Sequence, residues 1–243
     1  MFITMKFFSE TLGKNTEVYV CMPQKSTEGE IGAANHAAEK YKCLYLLHGL
    51  SDDHTIWMRR TSIERYAADY GIAVVMPNGE KSFYTDMKHG DPFYTYIAKE
   101  LPQIIADTFS ISTAPEDTFI AGLSMGGYGA FKIALKEQGR YAAAAGLSPV
   151  GNIKKEDFLC FKDVFGDTVP DSEDILYLAE NCKKRPRIFM STGTEDFMYE
   201  NNQETRKKFE DLGYDFTYIE CPGTHEWGVW DKHIQDALKW MFN

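Results

Sequence analysis

Positive charge is the scarcest resource in this 243-residue chain. It has 26 Lys and Arg against 36 Asp and Glu, a formal net charge of -10. A polymer of phosphates needs a basic face, so the balance argues against a nucleic-acid partner. No apolar run approaches the length of a membrane span, and no membrane partner is expected. The stretch 1–10 lacks a charged segment followed by a long apolar one, so no signal peptide is expected. Cysteines number five (Cys21, Cys43, Cys160, Cys182, Cys221), with no C-x-x-C and no paired spacing. An odd, scattered set fits a reducing compartment better than a disulfide framework, and Cys21, Cys43 and Cys221, in or beside apolar runs, read as buried thiols. A cytoplasmic protein is expected. No His/Cys/Asp cluster has metal-ligand spacing, and Gly122 to Gly129 lacks the Gly-x-Gly-x-x-Gly order of a dinucleotide site. Neither metal nor cofactor is expected. Repeats, low-complexity tracts and linkers are missing too.

What is present is an alternation of short apolar runs with helix-compatible segments. The length suits one α/β domain over 1–243. Residues 4–9 and 17–22 read as two strands around Gly13-Lys14-Asn15, a hairpin, and 23–40 as a polar surface loop. The nearly all-apolar run 41–47 fits a strand covered on both faces, as does 72–76, closed by Pro77-Asn78-Gly79. Between them 62–70 is helix-like and Gly71 stops it. The loop to Pro92 is long and aromatic. Residues 94–109 have helical spacing, with Pro102 a kink or break. Strands follow at 118–123, 142–147, 187–192 and 216–220, and helices at 126–138, 201–212 and 231–242. The charged stretch 148–185 breaks the rhythm; it is too short for a domain and is expected to form small helices near the site. The pattern implies a mostly parallel sheet with helices on both faces and no large cap domain.

In such sheets ligands bind at the carboxyl ends of the strands. Four notable stretches fall directly after predicted strands: His48-Gly49-Leu50, Ser124, Asp196, and Gly223-Thr224-His225-Glu226-Trp227. The apolar run ending in Gly122-Leu123-Ser124-Met125-Gly126, followed by a helix, is the pattern of a nucleophile elbow, a strained strand-to-helix turn that needs small residues two before and two after the serine. Alone the motif is weak, because Gly/Ser-rich turns are common; strand before and helix after strengthen it. The order Ser124, Asp196, His225 is that of the α/β-hydrolase triad. His225 would be the base, and Asp196 would hold the imidazole, with the adjacent Glu195 as its alternative. The bland readings are a turn-capping histidine and a helix-capping acid. Two backbone donors should stabilise the oxyanion: Met125 N–H, and Leu50 N–H with Gly49 and Ser51 as alternatives.

His233 in the last helix and His36 in a polar loop read as solvated. His54 and His89 sit in loops that could border the site, though surface positions fit as well, and His48 is placed to bond loop backbone. Trp57, Phe83, Tyr84, Phe93, Tyr94, Tyr128, Trp227 and Trp230 are candidates for an aromatic wall of the substrate pocket, most aromatics being core, with Trp57 and Trp227 preferred.

With these residues in hand, the chain resembles the esterase D family, and within it tributyrin-esterase-like and feruloyl-esterase-like bacterial carboxylesterases. The matching blocks are Leu47-His48-Gly49-Leu50-Ser51 with Trp57, Val75-Met76-Pro77-Asn78, Tyr84-Thr85-Asp86, Glu100-Leu101-Pro102, Ala121 through Gly129, and Gly223 through Trp227. The resemblance implies an α/β-hydrolase fold and a cofactor-free serine carboxylesterase for short acyl esters. Relatives include enzymes acting on acetylated or feruloylated plant sugars, and homo-oligomers occur among them. The runner-up is an S-formylglutathione hydrolase. That branch typically has Leu-Ser-Gly-Leu-Thr-Cys after the third strand and Asp-His-Ser around its histidine. This chain has Leu47-His48-Gly49-Leu50-Ser51-Asp52 and Thr224-His225-Glu226, which favours the simple esterase. An acyltransferase shares the same triad, and the intact Ser124, Asp196 and His225 argue against a non-catalytic binding protein. A peptidase is disfavoured only by the lack of a propeller or large cap.

Overall fold

A computed structural model describes residues 1–24 and 38–243. The predicted loop at 23–40, with His36, lies mostly outside the described residues. Eight strands form one sheet: β1 (Phe2–Ser9), β2 (Lys14–Cys21), β3 (Cys43–Leu47), β4 (Ala73–Pro77), β5 (Thr118–Leu123), β6 (Ala143–Leu147), β7 (Arg187–Gly193) and β8 (Phe216–Cys221). Their order is β1-β2-β4-β3-β5-β6-β7-β8. β1 and β2 form an antiparallel hairpin closed at Ser9↔Lys14, and β2 pairs antiparallel with β4. Every other pairing is parallel.

The helices are α1 (Ile56–Arg60), α2 (Ile63–Tyr70), α3 (Phe93–Thr95), α4 (Leu101–Thr108), α5 (Met125–Lys136), α6 (Phe161–Phe165), α7 (Ile175–Asn181), α8 (Tyr199–Asp211) and α9 (Trp227–Phe242). β3, β4, β5 and β6 are buried at every residue, because helices cover both faces. Side chains alternate between those faces. Cys43, Tyr45 and Leu47 join a core with α4, α5, α7 and Phe209 of α8. Leu44 and Leu46 join the opposite core with Trp57, Ile63 and the α9 residues Trp230, Ile234 and Leu238.

Pro102 has the predicted effect on its helix. Between α3 and α4 the chain runs through a π-helical turn, Tyr96–Glu100. Proline offers no N–H to the carbonyl four residues back, and the Ala98 oxygen instead accepts from Arg140 Nη1 at 2.7 Å. The stretch 148–185 folds as expected into short pieces, α6 and α7 with two 3-10 turns. It is tied down by a buried ion pair: Lys132 on α5, fully buried, reaches Glu173 at 2.7 Å.

Several expectations are corrected. α9 begins at Trp227, four residues before the predicted start, so Trp227 and Trp230 lie on the helix with Trp240. His233 is not solvated but 1% exposed on the inner face of α9. His54 is buried, 3.0 Å from Glu17. Cys221 is half-buried and Cys182 is buried, because Cys182 ends α7 against the core; all five thiols are free. Among the described residues no helix is long and apolar enough to cross a membrane.

Candidate active site

Four strand ends converge on the site, because parallel strands end on the same edge of the sheet. At the end of β5, Ser124 has φ 52 and ψ -117, a left-handed backbone that non-glycine residues rarely adopt. Its strain is held in place by its N–H bond to Leu147 O at 2.8 Å and by Tyr128 N–H donating to its carbonyl at 3.0 Å. The turn is so tight that a Cβ on Gly122 would lie 2.4 Å from the Gly126 carbonyl, and one on Gly126 would lie 2.5 Å from Leu47 O. Ser124 is half-buried amid buried neighbours.

At the ends of β7 and β8, His225 Nδ1 lies 2.9 and 3.0 Å from the two carboxylate oxygens of Asp196. Asp196 also accepts Met198 N–H at 2.8 Å. Burial alone would push its carboxyl up, but the bonds from His225, Met198 N–H and the Ser148 hydroxyl outweigh it and hold it below the usual carboxylate range. Asp196 is therefore an anion at neutral pH. Glu195 faces elsewhere: its carboxylate accepts Gly223 N–H and secures the loop that carries His225. Two aromatic rings pack on the imidazole: Phe197 lies tilted at 4.6 Å and Trp230 sits edge-on at 4.8 Å. Trp230 Nε1 in turn donates to Ser148 Oγ at 3.2 Å. No hydrogen bond joins the Ser124 hydroxyl to His225 among the described residues; such bonds tighten in the substrate complex.

Met125 is the first residue of α5, where an N–H has no partner within the helix. Neither its N–H nor that of Leu50 is bonded among the described residues. Gly49 packs against the elbow, its α-carbon so close that a Cβ would lie 2.7 Å from Leu123 and 3.8 Å from Ser124 Cβ. β3 and β5 are hydrogen-bonded neighbours in register through Leu47↔Gly122, which brings the Leu50 loop beside the serine. His48 is buried. Its Nε2 accepts Gly79 N–H at 2.8 Å, so the proton resides on Nδ1, which donates to Gly49 O at 2.7 Å. Desolvation pushes its pKa down to about 4.

The aromatic wall is corrected. Trp57 is 1% exposed and its indole donates to Leu47 O at 3.0 Å, so it buttresses the end of β3 from below and offers a substrate nothing. Phe83, Tyr84, Phe93 and Tyr128 are core residues as well. Trp227 is half-buried, edge-on to Trp57 at 5.1 Å. The exposed aromatic ring packed against His225 is Phe197, 70% exposed. Its one sequence signal was position, an apolar residue directly after Asp196 in a loop. A cleft of about 470 Å³ opens beside Leu50, lined by Asp52, Asp53, Glu80, Asp163, Lys81 and Met87 among others. Four carboxylates stand against one ammonium in its lining, with Glu80 paired to Lys14 at 3.2 Å, so it is acidic. Among the described residues no group of three His, Cys, Asp or Glu could hold a metal ion.

An eight-stranded, mostly parallel sheet with a strained serine after β5 and a paired acid and histidine after β7 and β8 defines an α/β-hydrolase. The chain belongs to the Esterase family, described as "Putative esterase", which it matches over residues 9–241; it is a carboxylic ester hydrolase. It is 30% identical to an acetyl esterase of Caldicellulosiruptor saccharolyticus across 98% of this chain and 96% of that one. Among solved structures it is similar to the fluorophosphonate-binding serine hydrolase F of Staphylococcus aureus, with a TM-score of 0.90 and 32% identity, covering 100% of this chain and 98% of that one. An S-formylglutathione hydrolase of the same organism superimposes with a TM-score of 0.87 at 32% identity, over 100% and 99% of the two chains.

Proposed function

We propose that the protein hydrolyses short-chain acyl esters of uncharged alcohols through Ser124, His225 and Asp196. Ser124 Oγ attacks the ester carbonyl as His225 Nε2 takes its proton. The carbonyl oxygen becomes an anion between the N–H groups of Leu50 and Met125. Asp196, at His225 Nδ1, fixes the tautomer that leaves Nε2 free and stabilises the imidazolium. Collapse expels the alcohol, which takes the proton from His225, and water repeats the sequence to release the acid. The observation that carries this reading is the pairing of His225 Nδ1 with both oxygens of a buried, anionic Asp196.

The acidic cleft beside Leu50 supports an uncharged alcohol over the carboxylate-bearing glutathione thioester. The second reading, an S-formylglutathione thioesterase, draws on the likeness to the staphylococcal structure of that name. The two are separated by initial rates on p-nitrophenyl acetate to octanoate, methyl ferulate, an acetylated sugar and S-formylglutathione. Fast cleavage of short oxygen esters, abolished in Ser124→Ala, is expected. A dominant thioester rate would reverse the choice, and turnover surviving in Ser124→Ala would refute the nucleophile. Added alcohol diverting acyl groups from water would mark an acyltransferase.

A further inference from the structure

Three consecutive carbonyls at the end of β3 are each met by a side chain. Trp57 Nε1–H donates to Leu47 O at 3.0 Å, Tyr84 O–H to His48 O at 2.9 Å, and His48 Nδ1–H to Gly49 O at 2.7 Å. A peptide unit is planar, so fixing a carbonyl oxygen fixes the N–H of the following residue on the opposite side. The bond to Gly49 O therefore sets the direction of Leu50 N–H. The bonds to His48 O and Leu47 O set the two peptide planes leading to it.

The three donors are themselves immobile. Trp57, Tyr84 and His48 are each exposed by 1% or less. His48 is held at its far nitrogen by Gly79 N–H. Tyr84 and its neighbour Phe83 have φ 51 and 50, a left-handed backbone that bulky residues avoid. That loop is clamped by Lys132 Nζ, which donates to Phe83 O at 2.9 Å and to Thr85 Oγ1 at 2.5 Å, and whose charge is matched by Glu173. Strained backbone, a buried lysine and three aromatic side chains thus converge on one short loop, and that loop ends in an unbonded N–H.

We propose that His48, Tyr84 and Trp57 are positioning residues that aim Leu50 N–H at the carbonyl oxygen as it becomes negative. The inference rests on Ser124 being the nucleophile and Leu50 an oxyanion donor, as proposed above. None of the three touches substrate; each acts through the peptide planes of residues 47–50. Donors that are already aimed need no reorganisation during reaction, and they favour the tetrahedral intermediate over the planar ester.

The test exploits the two nitrogens of His48. In His48→Asn the amide takes the place of Nδ1 and still donates to Gly49 O. In His48→Gln it takes the place of Nε2, still accepting Gly79 N–H, and Gly49 O loses its shorter bond and keeps only that from Asp52 N–H at 3.2 Å. These variants and Tyr84→Phe are assayed for kcat and KM on p-nitrophenyl acetate. They are also assayed for inhibition by an alkyl trifluoromethyl ketone, whose adduct with Ser124 carries the oxyanion. Removing an oxyanion donor outright costs about 100- to 1,000-fold in kcat, so mis-aiming one is expected to cost about 10- to 100-fold. KM should stay within about threefold, and the ketone should weaken in step with kcat. His48→Asn should recover most of what His48→Gln loses. A His48→Gln enzyme that is folded with wild-type kcat, or Asn and Gln variants equally impaired with unchanged ketone affinity, would overturn the proposal. If His48→Gln does not fold, Tyr84→Phe decides the matter by the same two readouts, since it removes a single oxygen. Ser124→Ala separates the two readings. Activity surviving there refutes the nucleophile, whereas loss there beside a full kcat in Tyr84→Phe and His48→Gln refutes the positioning role alone.

Discussion

Acidification below about pH 6.5 should weaken this protein through the buried imidazole of His48. His48 uses both ring nitrogens, donating from Nδ1 to Gly49 O and accepting Gly79 N–H at Nε2. A second ring proton would point at the Gly79 N–H, in a site that water does not reach. Desolvation accordingly pushes its pKa down to about 4, while an unfolded chain holds it near 6.5. Between those values the unfolded chain binds a proton that the folded one refuses, so stability falls as pH falls. The loss begins near pH 6.5 and is complete near pH 4. At about 1.4 kcal/mol per pH unit, a gap of roughly 2.5 units removes about 3 kcal/mol. That is a large part of the 5–15 kcal/mol typical of a folded protein.

Urea unfolding of the wild type and His48→Gln, from about pH 7 to about pH 4, isolates this contribution. Glutamine keeps the acceptor for Gly79 and does not titrate. Glu173 and Asp196 also have depressed values, so their contributions are lost as pH falls through those values, but they do so equally in both proteins. His233, also pushed down by burial, cancels in the same way. The wild type should start more stable and lose about 3 kcal/mol of that lead. Parallel stability curves would refute the assignment of His48 as a neutral, doubly bonded imidazole.

Gly126→Ala would put a methyl 2.5 Å from Leu47 O and 2.6 Å from His48 O, backbone atoms that cannot move aside. A loss of about 3 kcal/mol in urea unfolding is expected, and a variant within about 0.5 kcal/mol of wild type would contradict the elbow geometry. Glu173→Gln leaves Lys132 buried without its countercharge. About 3–5 kcal/mol should be lost, and a neutral effect would mean Lys132 is already uncharged when folded. Phe197→Ala removes an exposed ring that packs on His225. Its thermal midpoint should hold while KM for longer acyl or aryl esters rises about threefold or more, and unchanged kinetics across the series would exclude Phe197 from substrate contact.

Much of the sheet could be read from the chain because burial on both faces leaves a simple mark. β3, β4 and β5 are nearly continuous apolar runs, and Gly, Pro and polar residues punctuate them where the structure turns. The pairing of His225 with Asp196 followed from chain order and strand ends, since two adjacent parallel strands must bring their following loops together. Side-chain depth was less legible. Trp57, Tyr84 and Phe197 are alike in composition, yet two are buried donors or props and the third is exposed. Periodicity does not cover loops or a one-turn helix such as α1, because their direction is set by partners distant in sequence, as Lys132 sets Phe83. The start of α9 was missed for a related reason. Gly228 interrupts the apolar pattern, and the helix tolerates it because Trp227 and Trp230 pack on Trp57 and His225.

The strand order divides the proposed catalytic residues into two halves. β3 and β5 are neighbours and carry the Leu50 loop and Ser124; β7 and β8 are neighbours and carry Asp196 and His225. β6 lies between the halves, so the serine strand and the acid strand stand two spacings apart, about 10 Å. The end of β6 fills that gap. Leu147 O accepts Ser124 N–H, Ser148 N–H donates to Ser191 O on β7, and Ser148 Oγ accepts from Trp230 beside His225. Ser148 holds φ 45, another strained residue one strand away from Ser124. Relaxing that turn would shift the serine and the histidine relative to each other without altering either residue. The separation across β6 is therefore the distance the fold holds fixed, while the cleft beside Leu50 and the exposed ring of Phe197 lie on the loops above it.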